Sequence, residues 1–230
     1  MSAKRRALMS ERRVAPSILS ADFARLGSQV SEVLAAGARV IHVDVMDGHF
    51  VPPITFGATI VSALAELVHD AGGVIDVHLM IERPERHVRD FASAGADSIT
   101  IHVEATSHVR YALDQIREAG CGAGAAVCPA TPSEMLRDAA AEALDLALCM
   151  SVNPGWGAQK FIAHSLAKLA QMRAMLPDPV ALEVDGGIND DTAAAVVKAG
   201  ANLLVTGSAV FGSDDPAAAY ARIAAVAEAV

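Results

Sequence analysis

Cysteine, aromatic residues and positive charge are all in short supply in this chain, and each shortage closes off a class of protein. The three cysteines, Cys121, Cys128 and Cys149, are odd in number and never spaced C-x-x-C. Neither a disulfide framework nor a zinc knuckle is expected, and a reducing cytosol suits the thiols. No stretch approaches the roughly 18 uninterrupted apolar residues of a membrane span. Lys and Arg number 18 against 27 Asp and Glu, a formal net charge of −9. That balance excludes the basic face a nucleic-acid backbone demands, but not a small phosphorylated ligand, which backbone N–H groups can hold. Cationic residues do gather at the start, with Lys4, Arg5, Arg6, Arg12 and Arg13 against Glu11. No apolar segment follows them as a secretory signal requires, so residues 1–12 read as a short solvated, disordered extension, with Met9 an alternative start.

What remains is aliphatic. Hydrophobic residues make up 53% of the 230 and aromatics only 4%, the composition of a parallel sheet buried on both faces. From Arg13 onward, short β-branched runs alternate with Ala- and Leu-rich amphipathic stretches. Strands are expected near 13–19, 39–46, 74–80, 97–103, 123–128, 144–151, 180–185 and 202–206. Helices are expected over 22–36, with Asp22 as N-cap, and over 57–70, 84–94, 107–119, 132–142, 161–176, 189–199 and 216–229. Gly37, Gly95, Gly120 and Gly200 each close a helical run in an Ala-Gly pair, the C-capping use of glycine. Eight strand-helix units in series predict one (β/α)8 barrel over 13–230, with an open doubly wound sheet as the alternative.

Against that apolar background, four polar groups near strand ends demand a reason. Alternation puts His42, Asp44 and Met46 on one face of their strand, His78 and Met80 on one face of theirs, and Asp185 at the end of the seventh strand. The C-terminal rim is where barrels do chemistry. Two imidazoles and two carboxylates there suit one divalent cation, with zinc favoured and iron, manganese or cobalt as alternatives, while the lack of a thiolate argues against copper(I) or iron-sulfur. Glycine-containing loops follow strands six to eight: Gly155-Trp156-Gly157-Ala158, Gly186-Gly187 and Gly207-Ser208. Such loops let backbone N–H groups approach a phosphate. Gly120-Cys121-Gly122-Ala123-Gly124 precedes a strand and reads as a turn.

Six stretches extend the pattern from residue 13 almost to the end. They are Ala15-Pro16-Ser17-Ile18-Leu19-Ser20-Ala21-Asp22-Phe23, His42-Val43-Asp44-Val45-Met46-Asp47-Gly48-His49-Phe50-Val51-Pro52, Asp76-Val77-His78-Leu79-Met80, Met150-Ser151-Val152-Asn153-Pro154-Gly155, Val184-Asp185-Gly186-Gly187-Ile188 and Gly207-Ser208-Ala209. In these the chain resembles the ribulose-phosphate 3-epimerase family. The resemblance implies a barrel of the ribulose-phosphate-binding type that interconverts D-ribulose 5-phosphate and D-xylulose 5-phosphate through a cis-enediolate. It implies His42, Asp44, His78 and Asp185 as metal ligands, with Asp44 and Asp185 as the acid/base pair. Ser17, His78 and Asp185 would contact the substrate, the three glycine loops its phosphate, and Met46, Met80 and Met150 would line the pocket. A cytoplasmic homo-oligomer, dimer or hexamer, is also expected.

Three positions depart from the family pattern: Pro53, Cys128 and Trp156-Gly157-Ala158, where the family usually has Asn, Asn and Phe-Gly-Gly. Phosphate binding at the Ala158 N–H should survive if its φ is negative, while Trp156 and Cys128 bear on the exact sugar. The rival readings are an epimerase of another ketose phosphate such as D-allulose 6-phosphate, and a sensor that binds without catalysis. A barrel decarboxylase would carry Asp-x-Lys-x-x-Asp where this chain has His42-Val43-Asp44-Val45-Met46-Asp47.

Overall fold

The structure, a computed structural model, describes residues 3–137 and 144–230, with side chains from residue 7 onward. Eight strands form: β1 (Arg13–Pro16), β2 (Val40–Met46), β3 (Val74–Met80), β4 (Ser98–His102), β5 (Gly122–Val127), β6 (Leu146–Met150), β7 (Ala181–Asp185) and β8 (Leu203–Thr206). All neighbours pair in parallel in the order β1-β8-β7-β6-β5-β4-β3-β2. A parallel bridge between Ser17 and His42 joins β1 to β2. The sheet is thus a closed barrel, and the open doubly wound alternative falls away.

Helices α1 (Ala3–Ser10), α2 (Leu26–Ala35), α3 (Ala58–Asp70), α4 (Val88–Ser93), α5 (Val109–Glu118), α6 (Ser165–Met175), α7 (Ala193–Lys198), α8 (Ser208–Phe211) and α9 (Pro216–Glu228) lie in the described residues. Several are shorter than the sequence pattern suggests. Asp22 caps a 3-10 turn over Phe23–Arg25, accepting from the Ala24 N–H, and α2 starts only after it. The stretch 84–94 likewise breaks into a 3-10 turn, Pro84–Arg86, and α4. Of the expected helix 132–142, Ser133–Leu136 is a 3-10 turn, and 138–143 lies outside the described residues. The four Ala-Gly glycines all take positive φ.

Strand parity sorts the core into two shells. Ile41, Val43, Val45, Ile75, Val77 and Leu79 face outward to the helices, in one large apolar cluster. Val40, Val74, Ala126, Leu146, Leu148, Ala181, Leu203 and Val205 fill the barrel interior. Burying aliphatic area on both faces, at about 25 cal/mol per Å², is what holds such a sheet together. The inner cluster also contains Met9, 3% exposed. Where the sequence suggested a solvated extension, α1 forms, and the Asn202 amide donates to the Met9 and Glu11 carbonyls. With the interior stoppered below by Met9, polar groups at the strands' C-terminal ends have only the upper mouth to face.

Candidate active site

β2 and β3 run in register, pairing Asp44 with His78 and His42 with Asp76, while Met150 of β6 pairs with Asp185 of β7. Register and parity together put His42, Asp44, His78 and Asp185 around one point, each offering a ligand atom within 4.8 Å of all the others. Asp44 sits at its centre. One of its oxygens, Oδ1, lies 3.1 Å from His78 Nδ1 and 3.3 Å from His42 Nε2, and the other accepts from the Ser17 hydroxyl at 2.5 Å. Behind His42, Nδ1 meets the Asp76 carboxylate at 2.8 Å, which fixes the ring's orientation and leaves Nε2 turned inward. Four N and O donors, three of them buried, with a carboxylate behind one imidazole, fit a divalent cation.

The two aspartates differ sharply in acidity. Burial would raise Asp44, but the charge and hydrogen bond of His42, with those of His78, hold it well below the usual carboxylate range. Burial and then the Asp44 charge push Asp185 up to about 7. For His42, burial works downward, yet the charge and hydrogen bond of Asp44, backed by Asp76 and Glu183, set its pKa well above the usual value. Burial and neighbouring imidazoles drop His78 to about 4. One carboxylate is therefore ionised and the other poised near neutrality, the division found where one group serves as base and its partner as acid.

Above this cluster opens a cleft at the barrel mouth. Ser17, Asp44, Met46, Met80, Met150 and Asp185 form its floor side, and Gly155, Trp156, Gly157, Ala158, Gly186, Gly187, Gly207 and Ser208 its loop side. All three expected glycine loops therefore meet in one place. Two of the glycines are required there. A Cβ on Gly186, at φ 121, would stand 2.5 Å from a Val152 methyl, and one on Gly187, at φ 68, would stand 2.6 Å from the Phe161 N. Such crowding leaves the backbone itself as the lining.

The sequence profile of the Ribulose-phosphate 3 epimerase family matches residues 13–211. A relative from Bacillus subtilis, named ribulose-phosphate 3-epimerase, is 47% identical over 215 residues, covering 92% of this chain and 97% of its own. Another of that name from Synechocystis is 50% identical over 216 residues, 91% of this chain and 92% of its own. The chain belongs to the ribulose-phosphate 3-epimerase family. Among solved structures, 3-hexulose-6-phosphate synthase matches with a TM-score of 0.72 over 93% of this chain and 99% of that one, at 20% identity. That likeness concerns the barrel alone.

Three expectations drawn from this family need adjusting. His78 has no exposed surface and does not line the cleft; it lies behind Asp44 rather than at the surface a sugar would touch. Cys128 is not in the cleft either, but stands 3.5 Å from His102 Nδ1, leaving Trp156, 55% exposed, as the departure that borders the mouth. Ala158 has φ 57, not the negative value its side chain would prefer. The condition set for phosphate binding at its N–H is not met, but Ala158 still lines the cleft, in a left-handed turn that suits a glycine, at a steric cost of about 1 kcal/mol. Sequence reasoning also passed over Asp76, Glu183, His102 and Glu104. Asp76 shares the parity of His78, a signal that was present in the alternation. Glu183 is fully buried behind His42, and burial followed by the Asp76 charge raises it to about 8.

Proposed function

We propose that the chain is a ribulose-phosphate 3-epimerase that interconverts D-ribulose 5-phosphate and D-xylulose 5-phosphate by inverting C3. The observation that carries this reading is the pair Asp44 and Asp185, set at one mouth on β2 and β7, with acidities driven apart by their surroundings. Inversion beside a carbonyl requires a base on one face of the carbon and an acid on the other. Ionised Asp44 takes the C3 proton from one face, and electron density moves into the C2 carbonyl. Protonated Asp185 returns a proton from the opposite face, and the roles exchange in the reverse direction. Ser17, donating to Asp44 Oδ2, fixes that carboxylate's rotation.

His42 Nε2, His78 Nδ1, Asp44 and Asp185 would hold a divalent cation, zinc on donor type, which supplies Lewis acidity to the ketose oxygens when bound. The phosphate would rest against the N–H groups of Gly157, Ala158, Gly187 and Ser208, with the Ser208 hydroxyl beside them. Among the described residues no Lys or Arg lines the cleft, so backbone donors carry this task. Met46, Met80 and Met150 give the sugar carbons an apolar wall and keep water from the reacting carbon.

The test is NMR of zinc-loaded protein with D-ribulose 5-phosphate in D2O. Deuteration at C3 together with new xylulose 5-phosphate signals, both lost on chelation, is the expected result. Absence of exchange with this sugar but exchange with D-allulose 6-phosphate would move the assignment to the six-carbon substrate, and exchange with neither would overturn the catalytic reading.

A further inference from the structure

Behind His78, away from the cleft, runs a chain of side chains that the proposed chemistry does not use. His78 Nε2 lies 2.9 Å from His102 Nε2. The other nitrogen of His102, Nδ1, lies 3.1 Å from Glu104 Oε2. The remaining Glu104 oxygen, Oε1, accepts from the Cys128 backbone N–H at 2.8 Å and from the Thr131 hydroxyl at 2.5 Å. His102 is fully buried, and the Phe50 ring packs on it with centroids 4.8 Å apart. Its place is therefore set from both sides.

Two ring nitrogens 2.9 Å apart share a single proton. With both rings neutral, two arrangements of the chain obey this rule. In the first, Glu104 accepts from His102 Nδ1–H, His102 Nε2 accepts from His78 Nε2–H, and His78 Nδ1 is left with a bare lone pair facing the Asp44 site. In the second, every proton moves one place. His78 then carries its proton on Nδ1 toward Asp44, and His102 Nδ1 turns a bare lone pair on Glu104 at 3.1 Å. Burial works against the Glu104 carboxylate, but hydrogen bonds from His102, Thr131 and the Cys128 N–H hold it at about 2. An ionised oxygen facing a lone pair is repulsive at either end: Glu104 disfavours the second arrangement, and Asp44, 3.1 Å from His78 Nδ1, disfavours the first. A cation held between His78 Nδ1 and Asp44 would remove the repulsion at that end alone, so with the site loaded Glu104 selects the first arrangement. That is the arrangement in which His78 can ligate a cation.

We propose that Glu104, acting through His102, is a positioning residue that sets the tautomer of His78 and so makes its Nδ1 a metal ligand. The inference rests on the reading of His78 as a ligand, and it goes beyond it by assigning the residues two and three places behind the metal. His42 is held directly by Asp76 in the same sense. His78 reaches its carboxylate only through a second imidazole, which makes its tautomer depend on a residue at the barrel's outer rim.

The discriminating variant is Glu104→Gln. The Cys128 N–H is an obligatory donor, so the Gln amide oxygen must take the Oε1 position and its NH2 the Oε2 position. That NH2 donates to His102 Nδ1 and reverses every proton in the chain, with almost no change in shape. The Cys128 thiol, 3.5 Å from the same nitrogen, is free to reinforce the reversal. Zinc affinity, measured by competition with a chromogenic chelator, should fall by about 10- to 100-fold, with the circular dichroism spectrum and melting temperature kept. In 15N NMR of the zinc-loaded wild type, His102 should carry its proton on Nδ1, and that signal should be missing in the variant.

Unchanged zinc affinity in a folded Glu104→Gln protein would overturn the proposal. So would a bare His102 Nδ1 in the zinc-loaded wild type, which decides the matter even if the variant does not fold. Both readouts are independent of turnover. An inactive protein that nonetheless shows the expected tautomer and affinity loss would sink the epimerase reading while leaving the relay intact.

Discussion

Asp44 and Asp185 carry the same side chain at the same mouth, and what separates them is company. Asp44 has two imidazoles and the Ser17 hydroxyl on its oxygens, whereas Asp185 is left with burial and the neighbouring negative charge of Asp44. Replacing either by Asn keeps the shape and removes one proton acceptor together with one anionic ligand of the proposed cation, so the variants are compared with zinc in excess. Interconversion of the two pentulose phosphates should fall by about 10² to 10⁴ in each variant. Each should still exchange C3–H of one epimer with D2O, and the two variants should retain opposite epimers. Near-normal interconversion in either would show that one base suffices. These two residues, with His42 and His78, were legible because a carboxylate or imidazole in a strand buried on both faces has few uses. Glu183 and Asp76 obey the same parity, but they lie one layer deeper, and depth along a barrel depends on register between strands that no single strand encodes. The Ala158 conformation was illegible for another reason. The loop's path, set by Gly155 and Gly187 packing, overrides the preference of the residue itself.

At the scale of elements, the order of strands and helices followed from periodicity, while several helix starts did not. Asp22 and Pro84 each mark a true boundary, but each opens a 3-10 turn before the α-helix begins, a choice governed by how the loop meets the barrel rim. The largest difference is α1. Its basic side chains read as a solvated tail because five cations precede Val14, yet a single apolar residue in the right place changes its role. Met9 enters the inner cluster with Val40, Val74 and Leu203, at the end of the barrel opposite the cleft. Met9→Ala would leave a cavity costing about 2 kcal/mol or more. For a chain of this length that lowers Tm by about 4 to 8 °C. Because the site lies at the other mouth, kcat and KM should be unchanged. A variant melting at the wild-type temperature would return α1 to the status of a loosely held appendage.

The whole molecule is acidic, with a formal net charge of −9, and among the described residues no Lys or Arg lines its cleft. A ketose phosphate carries a charge of about −1.5 to −2 near neutral pH. Protein and proposed substrate therefore repel at long range, and binding must come from short-range N–H contacts that salt screens little. The sign of the salt effect follows. An enzyme that steers an anion with a basic cleft loses kcat/KM as salt rises, because screening removes the attraction. Here screening removes a repulsion instead. Raising NaCl from about 10 to about 200 mM shortens the Debye length from about 30 Å to under 10 Å. Over that range kcat/KM should rise, by up to about twofold, with kcat constant and KM falling. Inorganic phosphate and sulfate should behave differently from chloride. They compete for the same N–H groups in the loops after β6, β7 and β8, so they should raise KM at equal ionic strength. Initial rates in chloride and sulfate series at matched ionic strength separate the two effects. A kcat/KM that falls with NaCl would mean that cations outside the cleft reach the phosphate, with Lys160 in the loop after β6 the first to substitute.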